Sequence, residues 1–162
     1  MQKEPMLQST FDRLSKELEY LKTEGRTNIA KAIDEARALG DLKENAEYHA
    51  AKEKQGHIEA RIIELSDILS RAQVIDPSKL PHQKVSFGST VVLTDLSSDE
   101  EVVYTIVGTQ EADPSKGLIS IYSPLAKALL GKEEGDEVEV NLPGGKKSFE
   151  IEEIKFEKIK LN

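Results

Sequence analysis

With 162 residues, 38% of them hydrophobic, the chain is long enough for one ordinary domain or two small ones around a buried core, and its apolar runs, such as Val102-Val103, fall far short of the ~20 residues that span a bilayer. The start, Met1-Gln2-Lys3-Glu4-Pro5, has no apolar stretch to serve as a secretory signal, so the cytoplasm is the expected compartment; the absence of cysteine excludes disulfides, thiolate metal sites and cysteine nucleophiles but does not by itself identify the compartment. The net charge of −8 divides unequally, with 12 basic and 14 acidic residues in 1–75 against 10 and 16 in 76–162; no basic run offers the several phosphate contacts of duplex DNA binding, so a protein partner is expected, with no membrane and no sequence-specific DNA binding.

From Leu7 the apolar residues recur as Leu7, Phe11, Leu14, Leu18 and Leu21, a four-three-four-three spacing that predicts a coiled-coil helix. The stripe then slips past Gly25 and Asn28 to Ile29, Ile33 and Ala36, which reads as a four-residue stutter. A second stripe through Ala51, Ile58, Ile62, Leu65, Leu69 and Ala72 ends just before Asp76-Pro77, where proline disfavours further helix. Between the stripes, Leu39-Gly40-Asp41-Leu42-Lys43-Glu44-Asn45 is short enough only for a tight reversal of two antiparallel helices, with Gly40 free to adopt a left-handed conformation. Residues 7–39 as one helix would extend roughly 50 Å at 1.5 Å per residue, an arm longer than a compact domain needs.

After Asp76-Pro77-Ser78-Lys79-Leu80-Pro81 the period changes to two, with strands expected at residues 89–93, 102–107, 118–121, 137–142 and 148–154. One short helix interrupts them, with Ser123 as N-cap, Pro124 at the first helical position and Gly131 following. Pro143-Gly144-Gly145-Lys146 reads as a hairpin turn. The expected fold class is α+β: a coiled-coil hairpin over residues 1–75, a linker at 76–82 and a β-rich domain over 83–162.

The run Gly40-Asp41-Leu42-Lys43-Glu44-Asn45-Ala46-Glu47-Tyr48-His49-Ala50-Ala51 closely resembles the tip of the bacterial GreA-type transcript cleavage factors. The resemblance continues through Ala72-Gln73-Val74-Ile75-Asp76, Tyr104-Thr105-Ile106-Val107-Gly108, Glu111-Ala112-Asp113, Ser123-Pro124-Leu125-Ala126 and Gly131-Lys132-Glu133-Glu134-Gly135-Asp136, nearly the whole chain. It implies an FKBP-like C-terminal domain and a coiled coil that enters the secondary channel of RNA polymerase. There the factor, not itself an enzyme, would stimulate the polymerase's own cleavage of the 3′ end of backtracked RNA. Asp41 and Glu44 match the family's catalytic carboxylates and, by that resemblance, would share Mg²⁺ with the polymerase, a hard cation that accepts one or two carboxylates and keeps other oxygen ligands; the isolated protein would hold no cofactor. Arg37 and Lys52 resemble the small basic patch that contacts the extruded RNA, and Ser120, Ser123 and Pro124 the loop that docks on the rim of the polymerase channel. Two departures stand out: lysine at 52 keeps the charge but lacks the planar fork of arginine, and Tyr122 occupies a place where relatives usually carry a smaller polar residue.

Other readings of the same residues stand beside these. Asp41 followed three residues later by Glu44 is also an aspartate version of a capping box for the second helix. Arg37 and Lys52 also fit a solvated helix face, and Ser120, Ser123 and Pro124 a strand end and a helix cap. His49, His57 and His82 lack the three- or four-residue spacing of a helical metal site. Two rival functions are a Gre-like channel inhibitor, whose tip would be more acidic than Asp41, Glu44 and Glu47, and a prolyl isomerase, for which the C-terminal half has few aromatics and no tryptophan. Within the family, only Lys52 and Lys54 between Asn45 and Ala60 favour the GreA type over the more basic GreB type.

Overall fold

The computed structural model describes residues 2–161 and is α+β. The chain divides into two compact units, one formed by Gln2 and Phe11–Ala72, the other by Lys3–Thr10 and residues 73 onward. The second unit therefore takes up residues 3–10, which the expected division at residue 75 placed with the helical hairpin.

In the first unit, helix α1 (Gln8–Tyr20) passes into a π-helical turn (Leu21–Gly25) and then α2 (Arg26–Arg37); α3 (Ala46–Ser70) returns antiparallel to them. The slipped stripe is the reason for the π turn. Leu21, Gly25, Ile29 and Ile33 are spaced by four, which drifts around a plain α-helix, and one wider turn brings buried Gly25 back onto the face that buries Ile29, Ile33 and Ala36. Across the hairpin α3 buries Ile62, Leu65 and Ile68. Two arginine forks fasten the pair: Arg26 Nε and Nη2 donate to Glu59 at 2.9 Å each, and Arg61 Nε and Nη2 donate to Glu17 at 2.7 and 3.0 Å. The Arg61 guanidinium, through these hydrogen bonds first, holds the Glu17 carboxyl below the usual carboxylate range, and Arg26 does the same to Glu59.

The second unit is built on a five-stranded sheet in the order β5-β4-β3-β7-β6, from β3 (Thr90–Asp95), β4 (Glu101–Val107), β5 (Leu118–Ser120), β6 (Glu137–Leu142) and β7 (Gly145–Lys155). All pairings are antiparallel except β4 with β5, and β6 turns into β7 through Pro143-Gly144. The period-two pattern puts Val91, Leu93, Ile106, Val138, Val140, Phe149 and Ile151 into one core, which Leu125, Ala126 and Leu129 of helix α4 (Pro124–Leu129) complete. Ser123 accepts from Ala126 N–H at 3.3 Å as N-cap, and Gly131 has φ +81°, as the sequence predicts.

Two short strands were not expected from the sequence: β1 (Glu4–Met6) pairs with β2 (Ala72–Val74), extended by a bond from Ile75 N–H to Met6 O. Three residues carry too little period to be read. The segment that follows β1 is held by Glu111, buried within the unit, whose Oε2 accepts from Leu7 N–H (2.8 Å) and Thr10 Oγ1 (2.6 Å) while Oε1 accepts from Gly108 N–H (2.9 Å). Helix α1 has no acidic residue in its own first turn, so this carboxylate supplies the anion its N-terminus favours. Gly108 is required at its position, because a Cβ there would lie 2.0 Å from Pro5 O.

Candidate functional site at the hairpin turn

Helix α2 ends at Arg37 and α3 begins at Ala46, so the reversal occupies residues 38–45. Gly40 sits at φ +137°, a value L side chains rarely adopt, and so lets the chain turn. The capping-box expectation for Asp41 and Glu44 is not met. Asp41 Oδ1 accepts from Lys43 N–H (3.0 Å), a tight side-chain turn two residues long, and Asp41 lies five residues ahead of the helix. The N-cap is Asn45, in the extended conformation at φ −85° and ψ 94°, with Oδ1 accepting from Tyr48 N–H at 3.0 Å.

Asn45 makes a second bond. Its Nδ2 donates to Ala36 O, in the last turn of α2, at 2.6 Å. His49 Nε2 lies 3.3 Å from Lys43 O, so a histidine with no expected role meets the middle of the turn. The spacing rules used on the sequence look for metal ligands among histidines and pass over such a side chain-to-backbone contact.

Asp41 and Glu44 are both exposed and line one shallow concavity of about 330 Å³ with Leu39, Asn45, Ala46 and Glu47. Leu39 and Leu42 are exposed beside them, at 65% and 42%, so the turn has no core of its own and keeps its shape through the hydrogen bonds just described. The donor set of this surface is hard carboxylate oxygen, the chemistry that suits Mg²⁺. Among the described residues no group of three or more histidine, cysteine, aspartate or glutamate side chains is placed to hold a metal ion.

Arg37 and Lys52 are exposed on the helices that flank the turn. The Arg37 guanidinium lies 5.9 Å from the Tyr48 ring centroid, within cation–π reach, and Lys52 Nζ donates to Gln55 at 3.0 Å. In the other unit, Ser120 Oγ accepts from Tyr122 N–H (3.1 Å) and lies 3.2 Å from Thr109 Oγ1; Ser123 caps α4, and Pro124 is exposed at its first position. Tyr122 uses the phenol that sets it apart, donating to Lys3 O, so the larger side chain is tied to the N-terminal strand.

Two family models match, together covering most of the chain: "Transcription elongation factor, N-terminal" over residues 4–74 and "Transcription elongation factor, GreA/GreB, C-term" over residues 80–156. Among similar proteins, "Transcription elongation factor GreA" of Sulfurovum sp. (strain NBC37-1) is 67% identical, over 99% of both chains. The protein of the same description from Nautilia profundicola is 67% identical, over 98% of both. A solved structure, GreA factor homolog 1 (Gfh1) of Thermus thermophilus, is 31% identical, covers 95% of this chain and 99% of its own, and superposes with a TM-score of 0.44.

Proposed function

The chain belongs to the GreA/GreB family of transcription elongation factors, and from that premise we propose that it acts in the secondary channel of RNA polymerase, stimulating cleavage of the 3′ end of backtracked RNA. The observation that carries this reading is the pair of exposed carboxylates, Asp41 and Glu44, on a hydrogen-bonded turn at the end of a two-helix arm. Helix α3 alone has 25 residues, roughly 37 Å at 1.5 Å per residue, so the carboxylates stand well away from the far end of their own hairpin.

In this mechanism Asp41 and Glu44 present oxygen ligands to a metal site otherwise built from the polymerase's own carboxylates. Mg²⁺, when bound there, supplies positive charge that acidifies water and offsets charge developing on the phosphate. The chain's residues do the positioning. The turn fixes the carboxylates before the encounter, so little ordering entropy is lost when they engage. Arg37, held near the Tyr48 ring, and Lys52 face the polyanionic RNA, while Ser120, Ser123 and Pro124 meet the channel rim. Water attacks a phosphodiester phosphorus and the bond to the upstream 3′ oxygen breaks, leaving that RNA with a 3′ hydroxyl that can be extended. The chain contributes ligands and geometry to a reaction the polymerase catalyses, so it is a cofactor of that enzyme and works in the cytoplasm. No helix among the described residues is long and apolar enough to cross a membrane.

The test adds the purified protein to a stalled, backtracked polymerase complex with Mg²⁺ and follows RNA length. Release of very short 3′ fragments is expected, with D41N and E44Q binding normally and cleaving poorly. Undiminished cleavage by both variants defeats the assignment, and blocked synthesis without cleavage identifies a channel inhibitor instead.

A further inference from the structure

We propose that Asn45 is a positioning residue for the carboxylate turn, a tether whose amide holds residues 38–44 in one arrangement; this rests on the reading of Asp41 and Glu44 given above. Capping α3 requires only an acceptor, and serine, threonine or aspartate would serve at that position. Serine and threonine carry their hydroxyl proton on the accepting oxygen itself, so of the residues that cap well asparagine alone places a donor on a separate atom, and here that donor is used. Nδ2 reaches back nine residues to Ala36 O at 2.6 Å while Oδ1 receives Tyr48 N–H at 3.0 Å. The orientation of the amide is fixed by its partners, since a flipped side chain would aim NH2 at an N–H and oxygen at a carbonyl.

The consequence for the turn is geometric. One small planar group joins the end of α2 to the start of α3, so the segment that carries Asp41 and Glu44 is closed at both ends. Asn45 is half-buried, which shields both bonds from competing water, whereas the ties inside the segment, Asp41 to Lys43 N–H and His49 to Lys43 O, are exposed. With Leu39 and Leu42 in solvent, apolar burial adds little there. Without the amide donor the helix would still start at Ala46, but the turn would be free to move.

The two jobs separate by substitution. N45S keeps an acceptor for Tyr48 N–H and adds no charge, its hydroxyl proton lying on the accepting atom itself; N45D keeps the shape and the acceptor; both lose the separate amide NH2 that reaches Ala36 O. In the isolated full chain, amide exchange should quicken at Lys43 and stay slow at Tyr48 for both variants. With backtracked polymerase, the factor concentration giving half-maximal cleavage should hold within about twofold of wild type, while the rate at saturating factor and Mg²⁺ falls roughly tenfold to hundredfold, the scale of an ångström of misplacement. N45A, which removes the cap as well, should lose protection at both amides. Wild-type cleavage at saturation, or unchanged Lys43 exchange, in either variant with Tyr48 still protected overturns the proposal and leaves Asn45 a helix cap. D41N and E44Q run alongside: if they fail to cleave while N45S cleaves normally, the tether alone is refuted; if they cleave normally, the reading beneath it falls and the tether falls with it.

Discussion

Replacing Glu111 by alanine is the most demanding test of how the segment after the N-terminal strand is held. The carboxylate satisfies Gly108 N–H and Thr10 Oγ1, both buried bonds, and Leu7 N–H, which is partly accessible. Its removal orphans two buried donors at ~1–3 kcal/mol each, while the Leu7 amide recovers a water, for a total near 4 kcal/mol. That is a large share of the ~5–15 kcal/mol that stabilises an ordinary domain. For a unit of this size the same loss lowers the melting temperature by roughly 15–30 °C, readable by calorimetry or near-ultraviolet circular dichroism. E111Q should fall between wild type and E111A, because the carboxamide keeps an acceptor but sets an NH2 group against donors. T10V should cost about 1 kcal/mol, the value of one lost hydrogen bond, and the double variant T10V/E111A less than the two single losses combined. An E111A protein within about 1 kcal/mol of wild type would refute the argument, since it would mean that water replaces the carboxylate at all three donors.

The remaining expectations concern packing, pH and RNA. G108A should destabilise the β-rich unit severely, because its Cβ would meet backbone rather than a movable side chain, 2.0 Å from Pro5 O; denaturant unfolding measures the loss. Glu17 and Glu59 have folded pKa values below their unfolded ones, through hydrogen bonds from Arg61 and Arg26 respectively. Their contribution is complete above the unfolded value and is lost as pH falls through the folded one, so the far-ultraviolet helix signal should melt at progressively lower temperature from about pH 5 towards pH 3, with a shallower dependence in R61Q. Glu150 carries the opposite sign: like charge from Glu152, first, pushes its carboxyl up, so E150Q should raise the melting temperature near neutral pH and have no effect once that group is protonated. R37Q and K52Q should each weaken crosslinking of the factor to the RNA 3′ end several-fold, an effect that shrinks with added salt, while helix content stays unchanged.

Periodicity made the long elements legible. The slip from Leu21 to Ile29 marked the place where the first helix departs from plain α geometry, although the stripe alone could not separate a relaxed supercoil from a π turn, because both move the same side chains onto the same face. Alternation in residues 137–142 gave β6 with the bounds observed, since its turn neighbours Pro143 and Gly144 punctuate it. Strands β1 and β2 were illegible because three residues hold no period and the two partners that pair are more than sixty residues apart in sequence. At the turn, the residue types carrying the proposed chemistry were readable from resemblance, but not the division of labour. Spacing favoured Asp41 as the cap; the structure gives that role to Asn45 because Asp41 has already turned back onto Lys43, and no local rule ranks one short polar side chain above another four residues away.

The wide turn at Leu21–Gly25 gives the first helix one residue that its partner does not match. Winding the same residues there as plain α-helix, with none removed, would keep the backbone ladder regular, yet rotate everything beyond it by about 100°. Arg37 would leave the ring of Tyr48, and Ile29 and Ile33 would swing out of register with α3. That wide turn is therefore a phase setting for the arm: it fixes which side of the hairpin the acidic turn presents, and a chain that wound the same residues as unbroken α-helix would keep its helix content while aiming those groups elsewhere.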